Sequence, residues 1–317
     1  MNIIFLDGYT LQTSDSVLDP IKALGQFRVF DRTDSHQVVE RGKDADVIIV
    51  NKTSITAEHI AQMPKLRLIC VAATGYDKID IKAARERGIP VCNCADYSTQ
   101  AVAQMALSLL LEAANDVGFY TERNRHGEWS SCEDFCYTTH SRLDLEGKHA
   151  AIVGFGHIGR ALASFLHPMG VKIYAVTSKS ASQLPKYVTP ISLEDAFTTC
   201  DIISLNCPLT EKNRGFVNAS LLEKTKTGLY LVNTARGALV NEQDVAQALQ
   251  TGKLAAYCTD VLAQEPPSPY CPLLKAPNAY ITPHIGWKTP LTVERIVDIV
   301  TRNIQAFSEG NPQSVVN

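Results

Sequence analysis

Along the first hundred residues, short apolar runs alternate with stretches in which apolar residues recur every three or four positions. The runs over 3–6, 28–30, 47–50, 68–72 and 91–93 predict strands. Continuous apolar runs, rather than strict alternation, suit strands buried on both faces. Helical spacing over 19–25, 35–41, 56–63 and 79–87 predicts the intervening helices, with breakers such as Gly88 and Pro90 at the junctions. Alternation of this kind predicts a parallel sheet covered by helices. Residues 98–115 form the longest helix candidate: Ser98 can cap it, and Val102, Met105, Ala106, Leu109 and Leu110 give a face wide and apolar enough to lie between two domains.

The same plan recurs further on. Strands are predicted over 150–153, 171–176, 202–206, 229–233, 255–260 and 279–282. Helices are predicted from Ile158 to Pro168 and over 193–199, 219–226, 242–250 and 290–307. The last helix can return to the first domain and make it discontinuous. No repeat of 20–50 residues is visible. A length of 317 residues suits two such α/β domains. The stretch 120–140 is polar and dotted with Trp129, Phe135 and Tyr137. It is long for a plain connection and is expected to pack against something, such as a second subunit.

Composition narrows the function classes. A net charge of −3 gives no general attraction to nucleic acid or acidic membranes. No apolar run approaches the ~18 residues of a membrane span, and the N-terminus enters a strand-like run instead of a secretory signal. The nine cysteines are scattered. Cys92-x-Cys94 and Cys132-x-x-x-Cys136 lack the second ligand pair of a zinc site, so no metal is expected and buried reduced thiols in a cytoplasmic protein are. Asn51-Lys52-Thr53 and Asn218-Ala219-Ser220 match glycosylation sequons, which carry no meaning without export.

One stretch carries explicit chemistry. After the apolar run Ala150-Ala151-Ile152-Val153, the glycines of Gly154-Phe155-Gly156-His157-Ile158-Gly159 fall in G-x-G-x-x-G spacing, and a helical pattern follows. The first glycine allows a tight turn, the second lets a pyrophosphate approach the backbone, and the third lets helix and strand pack closely. The helix N-terminus adds donors and a positive dipole end. The strand over 171–176 completes a βαβ unit, so a dinucleotide is the expected cofactor.

Three ionisable residues follow later strands: Arg236, Glu265 and His284. All are expected at the carboxyl edge of the sheet, where such folds bind ligands. A guanidinium can hold a carboxylate and polarise a neighbouring carbonyl. An imidazole can give that carbonyl a proton as hydride arrives, and a carboxylate beside it favours the protonated form. In the first half, the small-residue loop Ala73-Thr74-Gly75-Tyr76-Asp77 follows a strand and can aim backbone N–H groups at an anion, or serve as an ordinary turn.

With the glycine loop, the stretches Leu231-Val232-Asn233-Thr234-Ala235-Arg236-Gly237, Asp260-Val261-Leu262-Ala263-Gln264-Glu265-Pro266 and Ile281-Thr282-Pro283-His284-Ile285-Gly286-Trp287 make the chain resemble the D-isomer-specific 2-hydroxyacid dehydrogenases. The resemblance covers nearly the whole length. Phe5-Leu6-Asp7-Gly8-Tyr9-Thr10 and Asp134-Phe135-Cys136-Tyr137 look most like the glycerate dehydrogenase, or hydroxypyruvate reductase, branch. It implies a flavodoxin-like substrate domain over 1–98 and 288–317, a Rossmann cofactor domain over 99–287, an active-site cleft between them, and a homodimer. Hydride would pass between a nicotinamide cofactor and a small D-2-hydroxy acid: glycerate, with hydroxypyruvate as its keto acid, or glyoxylate. It further implies that Arg236 binds and polarises substrate, Glu265 tunes His284, and His284 moves the proton. Thr74 and Gly75 would hold the substrate carboxylate. Asp260 would hold the nicotinamide carboxamide, and Cys207 and Pro208 would line the adenosine side. Thr234, Ala235, Arg236, His284 and Gly286 complete the expected cofactor contacts. Gln104, where many members carry Glu, and Lys288 depart from the family pattern and bear on substrate choice. The same scaffold also serves a dinucleotide-sensing corepressor, which keeps the three ionisable residues, and formate and phosphite dehydrogenases. The absence of long disordered tails favours the enzyme.

Coenzyme choice turns on the end of the second strand of the βαβ unit. NAD-specific members place Asp where this chain has Thr177, followed by Ser178 and Lys179. No carboxylate is there to repel a 2′-phosphate, and Lys179 would attract one. Both NAD(H) and NADP(H) are expected to serve, with a modest lean to NADP(H).

Overall fold

The computed structural model describes residues 1–11, 14, 16–139 and 142–317. The chain divides into two units, Met1–Tyr97 with Lys288–Asn317, and Ser98–Trp287.

In the first unit, β1 (Asn2–Phe5), β2 (Gln26–Val29), β3 (Val47–Val50), β4 (Leu68–Val71) and β5 (Val91–Asn93) form an all-parallel sheet in the order β2-β1-β3-β4-β5. That is the flavodoxin-like order. Strands β3, β4 and β5 are buried along their whole length, as their continuous apolar runs require. Strand β2 lies at the edge and is mostly exposed, which is why the apolar pattern locates it two residues late. Helices α1 (Asp19–Lys22), α2 (Val38–Gly42), α3 (Ala57–Ala61) and α4 (Ile81–Glu86) are shorter than the sequence pattern predicts. Residues Ser35–Gln37 form a separate 3-10 turn before α2. Thr56 starts α3 by accepting the His59 N–H at 3.3 Å, and Asp80 starts α4 by accepting the Ala83 N–H at 2.9 Å. The C-terminal helix, Pro290–Ser308, buries Val293, Ile296, Val297, Val300 and Ile304 and packs against α1 and β4. Its apolar stripe therefore ties the chain's end into the first unit.

The second unit begins with α5 (Thr99–Asn115) and α6 (Val117–Arg125). It continues through β6 (His149–Val153), α7 (His157–Leu166), β7 (Lys172–Val176), β8 (Val188–Pro190), α8 (Leu193–Thr199), β9 (Ile202–Leu205), α9 (Ala219–Glu223), β10 (Leu229–Asn233), α10 (Glu242–Gln250), β11 (Leu254–Thr259) and β12 (Ala279–Ile281). The seven parallel strands run β12-β11-β10-β9-β6-β7-β8, so the order reverses between β6 and β9. Helix α5 buries Ala103, Ala106, Leu109 and Leu110 and packs on α7, β10 and β11. Ser98 takes its N-cap position, but the side chain makes no capping bond there. Two elements escape the sequence reading. Only Val188 of β8 is buried, and Pro190 removes a ladder donor, so this edge strand lacks the apolar run. Helix α6 has no buried residue and hence no apolar stripe. It belongs to the aromatic stretch, where Tyr137 donates to Asn124 Oδ1 at 2.7 Å and Trp129 donates to the Phe135 carbonyl at 3.0 Å. Phe135 is 89% exposed and Trp129 54%. His140, the last residue of that stretch, lies outside the described residues.

All nine cysteines are free, and six of them, including Cys70, Cys92 and Cys94, are buried. Burial pushes the Cys92 thiol up to about 11 and the Cys94 thiol to about 12, so both stay protonated at neutral pH. No helix among the described residues is long and apolar enough to cross a membrane.

Candidate active site

Strand β6 lies between β7 and β9, with Val153 opposite both Val176 and Leu205. The glycine loop therefore leaves the sheet where the strand order reverses, the position at which open α/β sheets bind ligands. Gly154 has φ +93, and a Cβ there would lie 2.7 Å from the backbone of Asn206 and Cys207. At Gly159 a Cβ would lie 2.4 Å from the Gly154 carbonyl oxygen and 2.9 Å from Ile152 Cγ2. Gly156, the N-cap of α7, differs: no heavy atom lies within 4 Å of its Cβ position. The first and third glycines are thus required by the protein's own packing, whereas the second faces open space at a helix N-terminus.

Beside the loop, Lys179 Nζ donates to the Phe155 carbonyl at 2.9 Å, and the Lys179 N–H donates to Thr177 Oγ1 at 3.3 Å. The ammonium group is held against the glycine loop instead of trailing into solvent. Phe155 itself is 2% exposed and packs in the core, leaving only its backbone to a ligand. Two buried oxygens on this edge have no protein partner: Asn206 Oδ1 after β9 and Thr234 Oγ1 after β10. Unsatisfied buried polar atoms are rare in native structures. An open helix N-terminus, a nearby ammonium and two unpaired oxygens fit the phosphates and hydroxyls of a dinucleotide. Asn206 escapes the sequence reading, because a polar residue ending a strand looks like a turn former.

The ionisable residues emerge from neighbouring strands. His284, after β12, has its Nδ1 2.6 Å from Glu265 Oε2. Glu265, after β11, uses its other oxygen to accept the Leu262 N–H at 3.0 Å. The pair is partly exposed, at 25% for the imidazole and 36% for the carboxylate side chain, so a substrate can reach it. His284 has φ +56, a left-handed conformation uncommon outside glycine. Asp260, 3% exposed, surrounds it with bonds: Oδ1 accepts the Thr282 hydroxyl at 2.6 Å and the Ile285 N–H at 2.9 Å, and Oδ2 accepts the Gly286 N–H at 2.8 Å. A Cβ on Gly286 would lie 2.8 Å from Asp260 Oδ2 and 3.1 Å from Met105. Asp260 thus holds the Thr282 side chain ahead of His284 and the backbone just after it, a task the sequence reading does not foresee.

Arg236 follows β10 in a turn held from below by Asn233, which is fully buried. Asn233 Oδ1 accepts the Ala235 N–H at 3.1 Å, while Nδ2 donates to the Arg236 carbonyl at 3.0 Å and to the Tyr257 hydroxyl at 3.2 Å. A Cβ on Gly237 would lie 2.0 Å from the Leu262 carbonyl carbon. The Arg236 turn therefore packs directly on the loop that leads to Glu265. In the first unit, Thr74 and Gly75 follow β4. Thr74 Oγ1 donates to the Cys94 carbonyl at 2.9 Å, and its own carbonyl accepts Asn93 Nδ2 at 2.8 Å. These bonds fix the loop at the carboxyl edge of the five-stranded sheet.

A histidine–carboxylate pair beside an arginine turn, on one edge with a dinucleotide cradle, is equipped for hydride transfer coupled to proton transfer. Comparison with known proteins agrees. Residues 107–286 match the family described as D-isomer specific 2-hydroxyacid dehydrogenase, NAD binding domain. The chain is 37% identical to a hydroxypyruvate reductase of Blautia hydrogenotrophica, covering 100% of both chains. It is 32% identical to a glycerate dehydrogenase of Methylorubrum extorquens, over 99% of this chain and 98% of the other. Among solved structures, an acyclic imino acid reductase in complex with NADPH and D-Arg superposes with a TM-score of 0.89 at 25% identity, covering 100% of both chains. Nothing in these comparisons supports the corepressor alternative. The chain belongs to the D-isomer-specific 2-hydroxyacid dehydrogenases, oxidoreductases that move a hydride between a nicotinamide cofactor and a 2-hydroxy acid.

Proposed function

We propose that this enzyme interconverts hydroxypyruvate and D-glycerate, with glyoxylate as a second substrate. The observation that carries the reading is the His284–Glu265 contact of 2.6 Å, in a chain matched end to end by a hydroxypyruvate reductase. When bound, the nicotinamide supplies or accepts the hydride at C2. In reduction, Arg236 holds the substrate carboxylate and polarises the carbonyl. His284 gives its Nε2 proton to the carbonyl oxygen, and Glu265 stabilises the imidazolium before that transfer. Hydride and proton together convert the keto group to the alcohol, and oxidation reverses both transfers. Thr74 and Gly75 offer backbone N–H groups to the carboxylate. Asp260, with a fourth acceptor position beyond its three bonds, takes the nicotinamide carboxamide.

The cofactor lies along Gly154, Phe155, Gly156, His157, Ile158 and Gly159, with Thr177, Ser178 and Lys179 at the adenine ribose and Cys207 and Pro208 at the adenosine. Asn206 and Thr234 complete their hydrogen bonds on it. Both coenzymes serve, with a modest lean to NADP(H). In support, the Lys179 ammonium is already turned to the glycine loop, and the imino acid reductase was solved with NADPH. We further propose a two-fold homodimer formed mostly by the helix that starts after Ser98, α5, and the aromatic stretch that begins at Tyr120, whose exposed Trp129 and Phe135 suit a buried interface. Free, buried cysteines suit a reducing compartment such as the cytoplasm.

A panel of hydroxypyruvate, glyoxylate, pyruvate and longer 2-keto acids, each assayed with NADH and NADPH, tests the reading. A kcat/KM for hydroxypyruvate or glyoxylate at least tenfold above pyruvate is expected. A preference for a long-chain keto acid would refute it. Sedimentation showing a monomer at micromolar concentration would remove the dimer.

A further inference from the structure

Asn51 follows β3 directly and is 5% exposed, yet its Nδ2 has no hydrogen-bond partner. Its backbone is anchored by a buried carboxylate. Asp7, 1% exposed, accepts the Asn51 N–H on Oδ1 at 2.8 Å, and the N–H groups of Lys52 and Thr53 on Oδ2 at 2.6 and 2.7 Å. A carboxylate taking three backbone donors holds that turn in one geometry. Register places the turn beside the loop already assigned to the substrate. Val50 pairs with Val71, and the Ala72 N–H donates to the Val50 carbonyl at 2.7 Å, so Asn51 lies alongside Ala72, two residues before Thr74.

An amide donor buried without a partner costs stability wherever water or protein fails to meet it. Here it stands, on a fixed turn, next to the loop proposed for the substrate carboxylate. We propose that Asn51 is a specificity-determining residue: its Nδ2 donates to the C3 hydroxyl oxygen of hydroxypyruvate or glycerate. The inference rests on the substrate reading above. Within this unit the Thr74–Gly75 loop is the part proposed to hold the carboxylate, and the Asn51 turn sits on the neighbouring strand, one strand spacing of ~4.8 Å from that loop's start. Pyruvate lacks that hydroxyl, and glyoxylate lacks C3 altogether, so both leave the amide unmet. Sites built to hydrogen-bond a substrate hydroxyl discriminate strongly against analogues lacking it.

The test is steady-state kinetics of wild type, Asn51→Leu and Asn51→Ala with hydroxypyruvate, pyruvate and glyoxylate. Thermal melting and coenzyme titration serve as checks of folding. The leucine form keeps the forked shape without the donor, and the alanine form serves if the larger leucine disrupts the turn. In the variants, kcat/KM for hydroxypyruvate is expected to fall about 10- to 100-fold, while pyruvate and glyoxylate change by less than about threefold. Equal losses on all three acids, or no loss on hydroxypyruvate, would overturn the assignment. Failure of the broader reading appears in a different row: a wild type that does not reduce hydroxypyruvate refutes the substrate, and the Asn51 assignment falls with it.

Discussion

His284 Nδ1 and Glu265 Oε2 lie 2.6 Å apart, although 19 residues and the whole of β12 separate them. The contact orients the imidazole with Nδ1 against the carboxylate, leaving Nε2 for the substrate. His284→Ala is expected to lower kcat by about 10²- to 10⁴-fold, the usual contribution of a general acid. Coenzyme affinity, read by fluorescence titration, should change little. Near-normal turnover in this variant would remove His284 from the mechanism.

Glu265→Gln acts on the proton rather than on the fold. The carboxylate steadies the positive charge that the imidazole carries before it gives its proton to the carbonyl oxygen, and a neutral amide does not. Glu265→Gln is therefore expected to lower kcat by about tenfold or more while coenzyme affinity stays as in wild type. Wild-type turnover in this variant would mean that Glu265 does not govern this proton.

The glycine loop separates packing from binding. Gly159→Ala forces a Cβ to within 2.4 Å of the Gly154 carbonyl oxygen, so a stability loss of ~1–3 kcal/mol or more is expected from overpacking. Gly156→Ala meets nothing within 4 Å and should melt like wild type. Its coenzyme Kd should nonetheless rise about tenfold, because the methyl group occupies the pyrophosphate approach. Similar melting temperatures for the two variants would contradict this division.

Coenzyme preference offers a charge test. Lys179→Ala should raise the KM for NADPH several-fold while leaving NADH nearly unchanged. Equal losses with both coenzymes would show that Lys179 supports the loop through the Phe155 carbonyl and does not read the 2′-phosphate.

Much of this was legible in the chain because burial and pattern coincide. Strands β3, β4, β9 and β10 sit inside their sheets and are apolar throughout or nearly so. In the exposed edge strands β2 and β8 the apolar run is displaced or absent, and α6, with no buried face, carries no periodicity to read. At the site, Arg236, Glu265 and His284 stood out as ionisable residues after strands. Asn51, Asn206 and Asn233 did not: an asparagine after a strand reads as a turn former, and only the fold decides which amides are buried. Asp260 was expected as a cofactor contact, and nothing in its position along the chain indicates that its oxygens also bind Thr282, Ile285 and Gly286.

Tyr257 links that buried chemistry to alkaline stability. Its burial pushes the phenol up to about 12 from an ordinary value near 10. A group with a raised folded pKa stabilises fully below its unfolded pKa and loses that contribution as pH rises through the folded one. Stability should therefore decline between pH 10 and 12, by as much as about 2–3 kcal/mol from this group. Tyr257→Phe should flatten that decline in melting experiments, at some cost at neutral pH because Asn233 loses one acceptor. An unchanged alkaline slope would mean that other groups set it.

The left-handed backbone at His284 makes the chemistry a liability for the fold. Glycine adopts φ +56 without penalty and asparagine with little, whereas other side chains are held there at a cost of order 1 kcal/mol or more. His284→Gly or His284→Asn should accordingly melt at or above the wild-type temperature while turning over almost nothing. Any directed evolution of this chain that screens heat resistance alone will drift toward such dead sequences at position 284, and must select for turnover in the same round to keep an enzyme.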